Sequence, residues 1–332
     1  LYDLPNESIA FPNSLIIVSD NKDTSEIILR SFSGEEKKQF LLGSGCDFKG
    51  KFHFEFNLPV EDFSIEILNN SFKKEWKILE WNNNKDSLTV WSSLIQSLDS
   101  VTLLLEYDGL KDTLKYNISK RKEMNTQPIG VRQNFSKNGN YFKKPYLFSF
   151  SQPISSYDTS KILIIGAGDS TYAPIKSTGK ELINFKLNWE LKDNSTYKLM
   201  ILPKAVQSIY NGYNKDTLNL KFSTDLNSSF GNLTIKYNFK DAKQDGILQI
   251  YFENDFQKEI HVKKQGKLSF EGFKPGNYKL KYISDVNGDK KWTPGNYWKK
   301  KQPEMIYWYN QNITLRANWD LDVEWVLSLG EN

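Results

Sequence analysis

The sequence predicts an all-β chain built from tandem antiparallel β-sandwich domains, and three observations carry that prediction. Aromatic residues make up 14% of the 332 residues (Phe 21, Tyr 17, Trp 9), a composition that suits strands. Apolar and polar residues alternate with period two in several short runs, as they do in strands with one buried face. Each run is bounded by Asn, Asp, Gly or Ser, the residues of turns. In chain order, Phe52, Phe54 and Phe56 share one face while His53 and Glu55 share the other. The same pattern marks strands at Leu114/Tyr116/Ile118, Phe185/Leu187/Trp189/Leu191, Leu218/Leu220/Phe222, Leu233/Ile235/Tyr237/Phe239 and Tyr278/Leu280/Tyr282. One helical turn or two is expected, at residues 203–210.

Two segments close alike, Asp112-Thr113-Leu114 and Asp216-Thr217-Leu218, and lie 104 residues apart. That interval is the size of one immunoglobulin-like sandwich, so both are read as last strands of successive domains. The division expected is 1–122, 123–226 and 227–332, with linkers near 119–126 and 223–229.

A hydrophobic fraction of 39% and a net charge of +4 exclude a disordered tail. The single cysteine, Cys46, excludes an intrachain disulfide and is read as a buried structural thiol. Leu41-Leu42-Gly43-Ser44-Gly45-Cys46 superficially resembles a lipoprotein cleavage site, but the charged run Glu35-Glu36-Lys37-Lys38 precedes it where an apolar region is required. No run of about 18 apolar residues is present to span a bilayer as a helix. The start at Leu1, without a charged and apolar leader, is read as that of a processed or partial chain.

Groups that usually carry catalysis are scarce. His53 and His261 each sit in a strand pattern, and they and Cys46 are too scattered for a zinc site. The 40 Asp and Glu show no spacing that singles out a glycosidase pair. Ile162-Leu163-Ile164-Ile165-Gly166-Ala167-Gly168 fails as a dinucleotide fingerprint, because Thr171 occupies the third glycine position and Pro174 follows where a helix would begin; it reads as a glycine-bearing loop between strands. No enzyme and no resident cofactor are expected. Asp285-x-Asn287-x-Asp289 spaces three oxygen side chains as a calcium loop does, yet Lys290 and Asn296 stand where Gly and Glu are wanted, so a Ca²⁺ site and an Asx-rich turn are both open. The third domain holds five of the nine Trp beside several lysines. Its 16 Lys and Arg against 13 Asp and Glu over residues 231–332 give no stripe for nucleic acid. Trp319 and Trp325 are read as core; Trp292, Tyr297 and Trp298, in a long turn-rich stretch, are read as partner contacts or local packing.

Thr196 to Val206, followed by Tyr210-Asn211-Gly212 and Asp216-Thr217-Leu218, resembles the closing half of a bacterial Ig-like domain, with Gln207-Ser208 where many members carry an acidic residue. Phe270 to Leu280, with its Pro275-Gly276 turn, looks like a transthyretin-like or carboxypeptidase-regulatory sandwich. Asp285 to Tyr297, continuing through Gln302-Pro303-Glu304 and Ile313 to Asp320, resembles the C-terminal end of Ig-like outer-membrane lipoproteins of Bacteroidota. The resemblance implies a non-enzymatic subunit of an outer-membrane complex, such as β-barrel assembly or secretion machinery, lipid-anchored through a part outside this chain. A β-barrel protein or another envelope subunit is the partner implied. Within the third domain, Trp292, Tyr297, Trp298, Tyr307 and Trp308 are the expected contact residues, and the rival reading is a glycan-binding surface adhesin using the same rings. Asp followed by Ser or Thr and an apolar residue also resembles the sequence at which Bacteroidota attach O-glycans, which nominates Ser87, Ser100, Thr113 and Thr217.

Overall fold

The computed structural model describes residues 38–72, 76–137, 139–166, 168–179, 182–240, 245–263, 265–295 and 301–328. The described residues form strands, turns and short 3-10 turns, with no α-helix among them. The chain divides into two compact units, one of residues 38–227 and one that includes residues 228–332.

The first unit contains two sandwiches. The first has β1 (Leu41–Lys49), β2 (Lys51–Phe56), β3 (Phe63–Ile67), β4 (Ile78–Trp81), β5 (Ser87–Trp91), β6 (Ser100–Tyr107), β7 (Leu110–Asn117) and β8 (Lys122–Glu123). They make sheets ordered β4-β5-β2-β1-β8 and β3-β6-β7. The alternation of β2 sends Phe52, Phe54 and Phe56 inward, against Leu88 and Val90 of one sheet and Ile65, Leu103 and Leu105 of the other. Each such side chain contributes about 2 kcal/mol through burial. Cys46 joins this core, its thiol donating to the Phe48 carbonyl at 3.2 Å.

The second sandwich has β9 (Val131–Gln133), β10 (Leu147–Phe150), β11 (Ile154–Tyr157), β12 (Ile162–Gly166), β13 (Asp169–Tyr172), β14 (Ile175–Ser177), β15 (Asn184–Leu187), β16 (Thr196–Ile201), β17 (Val206–Ser208) and β18 (Leu218–Ser223). Its main sheets are β14-β15-β10-β9 and β13-β12-β16-β18, and β11 pairs with β17. Gly166 lies opposite Asp169 in the β12–β13 hairpin, so the glycine-bearing segment is a strand connection. The helix expected at 203–210 is absent: Pro203 to Ala205 form a turn and β17 follows. The side chain of Asn214 accepts from the Val206 N–H, and β17 pairs with β11 instead of coiling.

The segment read as a linker at 119–126 is bound on both sides. β8 adds to β1 in parallel, and Met124 inserts into a buried cluster with Trp91, Ile183 and Tyr210 that joins the two sandwiches. Tyr210 Oη donates to the Gly50 carbonyl at 2.7 Å, a carbonyl that also accepts from the Ser92 N–H at 2.8 Å. Gly50 has a φ of +85°, and a Cβ there would lie 2.1 Å from the Ser92 carbonyl oxygen, so only glycine fits.

The second unit has β19 (Gly231–Lys240), β20 (Gly246–Phe252), β21 (Asp255–Val262), β22 (Gln265–Phe273), β23 (Gly276–Ser284), β24 (Ile306–Trp308), β25 (Ile313–Leu315) and β26 (Asp320–Ser328). One sheet is β22-β19-β26; the other is β21-β20-β23-β24, with β25 also pairing β23. Leu233, Ile235 and Phe239 meet Leu248, Ile250, Leu280 and Tyr282 across the core. The antiparallel rule has an exception here, since β26 runs parallel to β19 over nine residue pairs. Trp325 is core, as expected. Trp319 is not: it is 53% exposed, because it precedes β26 in a turn where Asn318 has φ +58°, and the Arg316 guanidinium lies over its ring at 4.9 Å.

Candidate binding surface

The long connection between β23 and β24 is held by its own hydrogen bonds. Buried Glu304 is its anchor: one carboxylate oxygen accepts from the Val286 and Asn287 N–H groups at 2.7 and 3.4 Å, the other from the Thr293 N–H at 2.8 Å. Its backbone carbonyl accepts from the indole N–H of Trp292 at 3.0 Å, which fixes that ring while leaving it 42% exposed. Asp285 accepts from the Gly288 and Lys290 N–H groups, Asn287 from the Asp289 N–H, and Asp289 from the Lys291 N–H, Asn287 Nδ2 and the Thr293 hydroxyl. Burial opposes ionisation of Asp289, but those hydrogen bonds together hold its carboxyl below the usual carboxylate range. The three predicted calcium ligands are thus brought together, with every side-chain oxygen turned to a donor of the loop. Among the described residues no three His, Cys, Asp or Glu are grouped to hold a metal. The hydrogen bonds are those of an Asx-rich turn.

Beyond this loop the open face of the β21-β20-β23-β24 sheet carries a ring cluster. Strand alternation turns Leu248 and Ile250 inward and Gln249 and Tyr251 outward. Register then sets Tyr251 opposite Phe256, Gln249 between Glu259 and Lys281, and Lys281 opposite Trp308. The Tyr251 ring lies 5.4 Å from Trp308 at 47° and 5.8 Å from Phe256 at 74°. Phe256 and Trp308 are 54% and 48% exposed. Lys281 Nζ sits 5.7 Å from the Trp308 ring centroid, and burial holds its pKa below the usual lysine value, partly offset by Glu259. A polar chain runs beside the rings: Tyr251 Oη donates to Gln249 at 2.8 Å, and Gln249 Nε2 donates to Glu259 at 2.7 Å. Toward Ser284 the same face closes, with Ile247 and Ile283 buried.

Of the expected contact residues, Trp292 and Trp308 are exposed, and Tyr297 and Trp298 lie outside the described residues. Tyr307 is a correction: it alternates inward from Trp308 and packs against the core, 6.3 Å from Tyr282. Tyr251, Phe256 and Lys281 were not singled out by the sequence, and Glu304 only as part of the Gln302-Pro303-Glu304 segment, without its anchoring role; alternation in 246–252 and 255–262 was the signal available for the first two.

The nominated glycan acceptors all belong to the first unit. Ser87 and Ser100 open β5 and β6 and are half-buried; Thr113 is exposed within β7; Thr217 is half-buried, just before β18. His53 pairs with Asp47 at 3.5 Å on the outer face of β2, opposite Gly45 of β1, and His261 is exposed on β21; among the described residues neither joins a group of three His, Cys, Asp or Glu.

No family model matches the chain, and no curated protein matches it. Solved structures similar to it include the I-band fragment I67–I69 of titin, at 9% identity, covering 75% of this chain and 94% of that one with a TM-score of 0.17. Another is SGBP-B of a Bacteroides ovatus mixed-linkage glucan utilization locus, in complex with a mixed-linkage heptasaccharide, at 7% identity, 81% and 70% coverage and a TM-score of 0.26. A third is an endo-fucoidan hydrolase of glycoside hydrolase family 107, at 6% identity, 86% and 42% coverage and a TM-score of 0.19. Superpositions this loose carry no argument about function. The strands, registers and cores above make the chain an all-β protein of tandem β-sandwiches.

Proposed function

We propose that this chain is a non-catalytic binding subunit of the cell envelope, the soluble region of a lipid-anchored outer-membrane protein, working without a cofactor. Its partner is an outer-membrane β-barrel protein or another envelope subunit, held through the exposed face of Tyr251, Phe256 and Trp308. The observation that supports this reading is the mixed geometry of that face: three rings in contact, at 47° and 74° to one another, ringed by Lys281, Gln249 and Glu259. An aromatic centre with a polar rim is the make-up of a protein interface. The glycan-adhesin reading draws on the polar chain from Tyr251 through Gln249 to Glu259, but a sugar platform calls for rings in one plane, which these are not.

The protein, tagged in its native cells and purified from outer membrane solubilised in mild detergent, is expected to bring down one barrel or envelope protein in stoichiometric amount. Recovery of the intact, anchored protein alone would contradict the proposal and favour glycan binding.

A further inference from the structure

The outward face of the β14-β15-β10-β9 sheet in the second sandwich is cationic. Lys176 lies directly opposite Lys186 on the neighbouring strand, both exposed, and Arg132 projects from β9 opposite Ser149. Like charges set directly opposite one another destabilise a sheet. Among the described residues no carboxylate lies within ion-pair range of Lys144, Lys176 or Lys186. Beyond Leu187 this face runs into an open groove of about 440 Å³, walled by the segments 142–146 and 186–191. Lys143, Lys144 and Lys186 line it against a single carboxylate, Glu190. Trp189 lies on its wall, 39% exposed, and Lys143 Nζ sits 5.9 Å from the centroid of the Phe142 ring.

We infer that this groove and the adjoining sheet face bind an acidic polysaccharide, a sugar ring resting on Trp189 and its carboxylate or sulfate groups meeting Lys144, Lys186 and Lys176. The aromatic ring supplies a surface for the C–H face of a sugar, and Lys144, Lys176 and Lys186 supply the charge that an anionic unit neutralises. A flat lipid surface would meet the exposed lysines but leave the groove, with Trp189 on its wall, unfilled. An extended acidic peptide docks along a free strand edge, and β14, which carries Lys176, offers one, but Lys186 lies on β15, which is hydrogen-bonded on both sides, and Trp189 lies beyond the end of that strand. The inference rests on residues of the first unit alone, so its failure leaves the Trp308 surface untouched.

Calorimetric titration of the full chain tests it, with a purified uronate oligosaccharide, a sulfated glucan oligosaccharide and a neutral glucan oligosaccharide of equal length. At least one acidic sugar is expected to bind, with affinity falling as salt rises, and the neutral one to bind weaker by about tenfold or more. Trp189→Ala and the double change Lys176→Gln with Lys186→Gln are each expected to weaken binding by about tenfold, while Trp308→Ala leaves it unchanged. The substituted side chains are exposed, so an unaltered thermal melt verifies that the variants fold. Absence of heat with both acidic sugars, wild-type affinity in Trp189→Ala, or tighter binding of poly-glutamate or phosphatidylglycerol vesicles than of the sugars would overturn the inference.

Discussion

Gly50→Ala is the sharpest test of how the first two sandwiches are joined. The substitution places an L side chain at φ +85°, which costs about 1–2 kcal/mol. The new Cβ would stand 2.1 Å from the Ser92 carbonyl oxygen, so the end of β5 must move away. That movement breaks the Ser92 N–H and Tyr210 Oη hydrogen bonds to the Gly50 carbonyl, each worth about 1 kcal/mol. The expected loss is about 3–4 kcal/mol. Tyr210→Phe removes only one of the two bonds and leaves the carbonyl paired to Ser92, so it is expected to cost about 1 kcal/mol. Urea unfolding of the full chain, followed by tryptophan fluorescence, reads both, because Trp91 lies in the cluster at the joint. Wild type is expected to unfold residues 38–227 in one transition, and Gly50→Ala to lower its midpoint and split it. A Gly50→Ala chain within about 0.5 kcal/mol of wild type, still unfolding in one step, would refute this account of the joint.

Glu304→Ala is expected to free the Val286, Asn287 and Thr293 N–H groups at a cost of about 3 kcal/mol. Hydrogen exchange should then accelerate at those amides while Tyr278 to Tyr282 stay protected. Burial pushes the Cys46 thiol up to about 11, so a disulfide reagent at neutral pH should label it only after denaturation. Burial pushes Tyr107, Tyr278 and Tyr282 up to about 12, aided at Tyr107 by its hydrogen bond to Asp112. A folded pKa above the unfolded value of about 10 gives stability that is full below pH 10 and lost as pH rises toward 12. Tyrosinate absorbance and circular dichroism should therefore change together over that window.

Where one face of a strand is core and the other solvent, the sequence was legible. The runs at 52–56, 233–239 and 278–282 fold as their alternation predicts. Alternation misleads at 185–191, because the strand stops at Leu187 and the Asn188 N–H turns to the Pro174 carbonyl, leaving Trp189 exposed. At 203–210 a single side chain, Asn214, decides the local backbone from outside the segment, beyond the reach of a pattern. The ring-bearing face was half legible. Trp292 and Trp308 follow from their surroundings in sequence, but Tyr251, Phe256 and Lys281 become neighbours only through register. An irregularity between Ile250 and Tyr251 shifts that register, so that Ile250 faces Lys258 while Tyr251 faces Phe256. No period in the sequence records such a shift.

Site-specific photo-crosslinking in the native cells tests the central claim most directly. A photoreactive side chain is placed at Phe256, at Trp308 and, as a control, at exposed Leu110 on the first sandwich. The account predicts that Phe256 and Trp308 crosslink to the same single envelope protein and that Leu110 does not. Equal yields at all three positions, or no protein captured from either ring position, would contradict it.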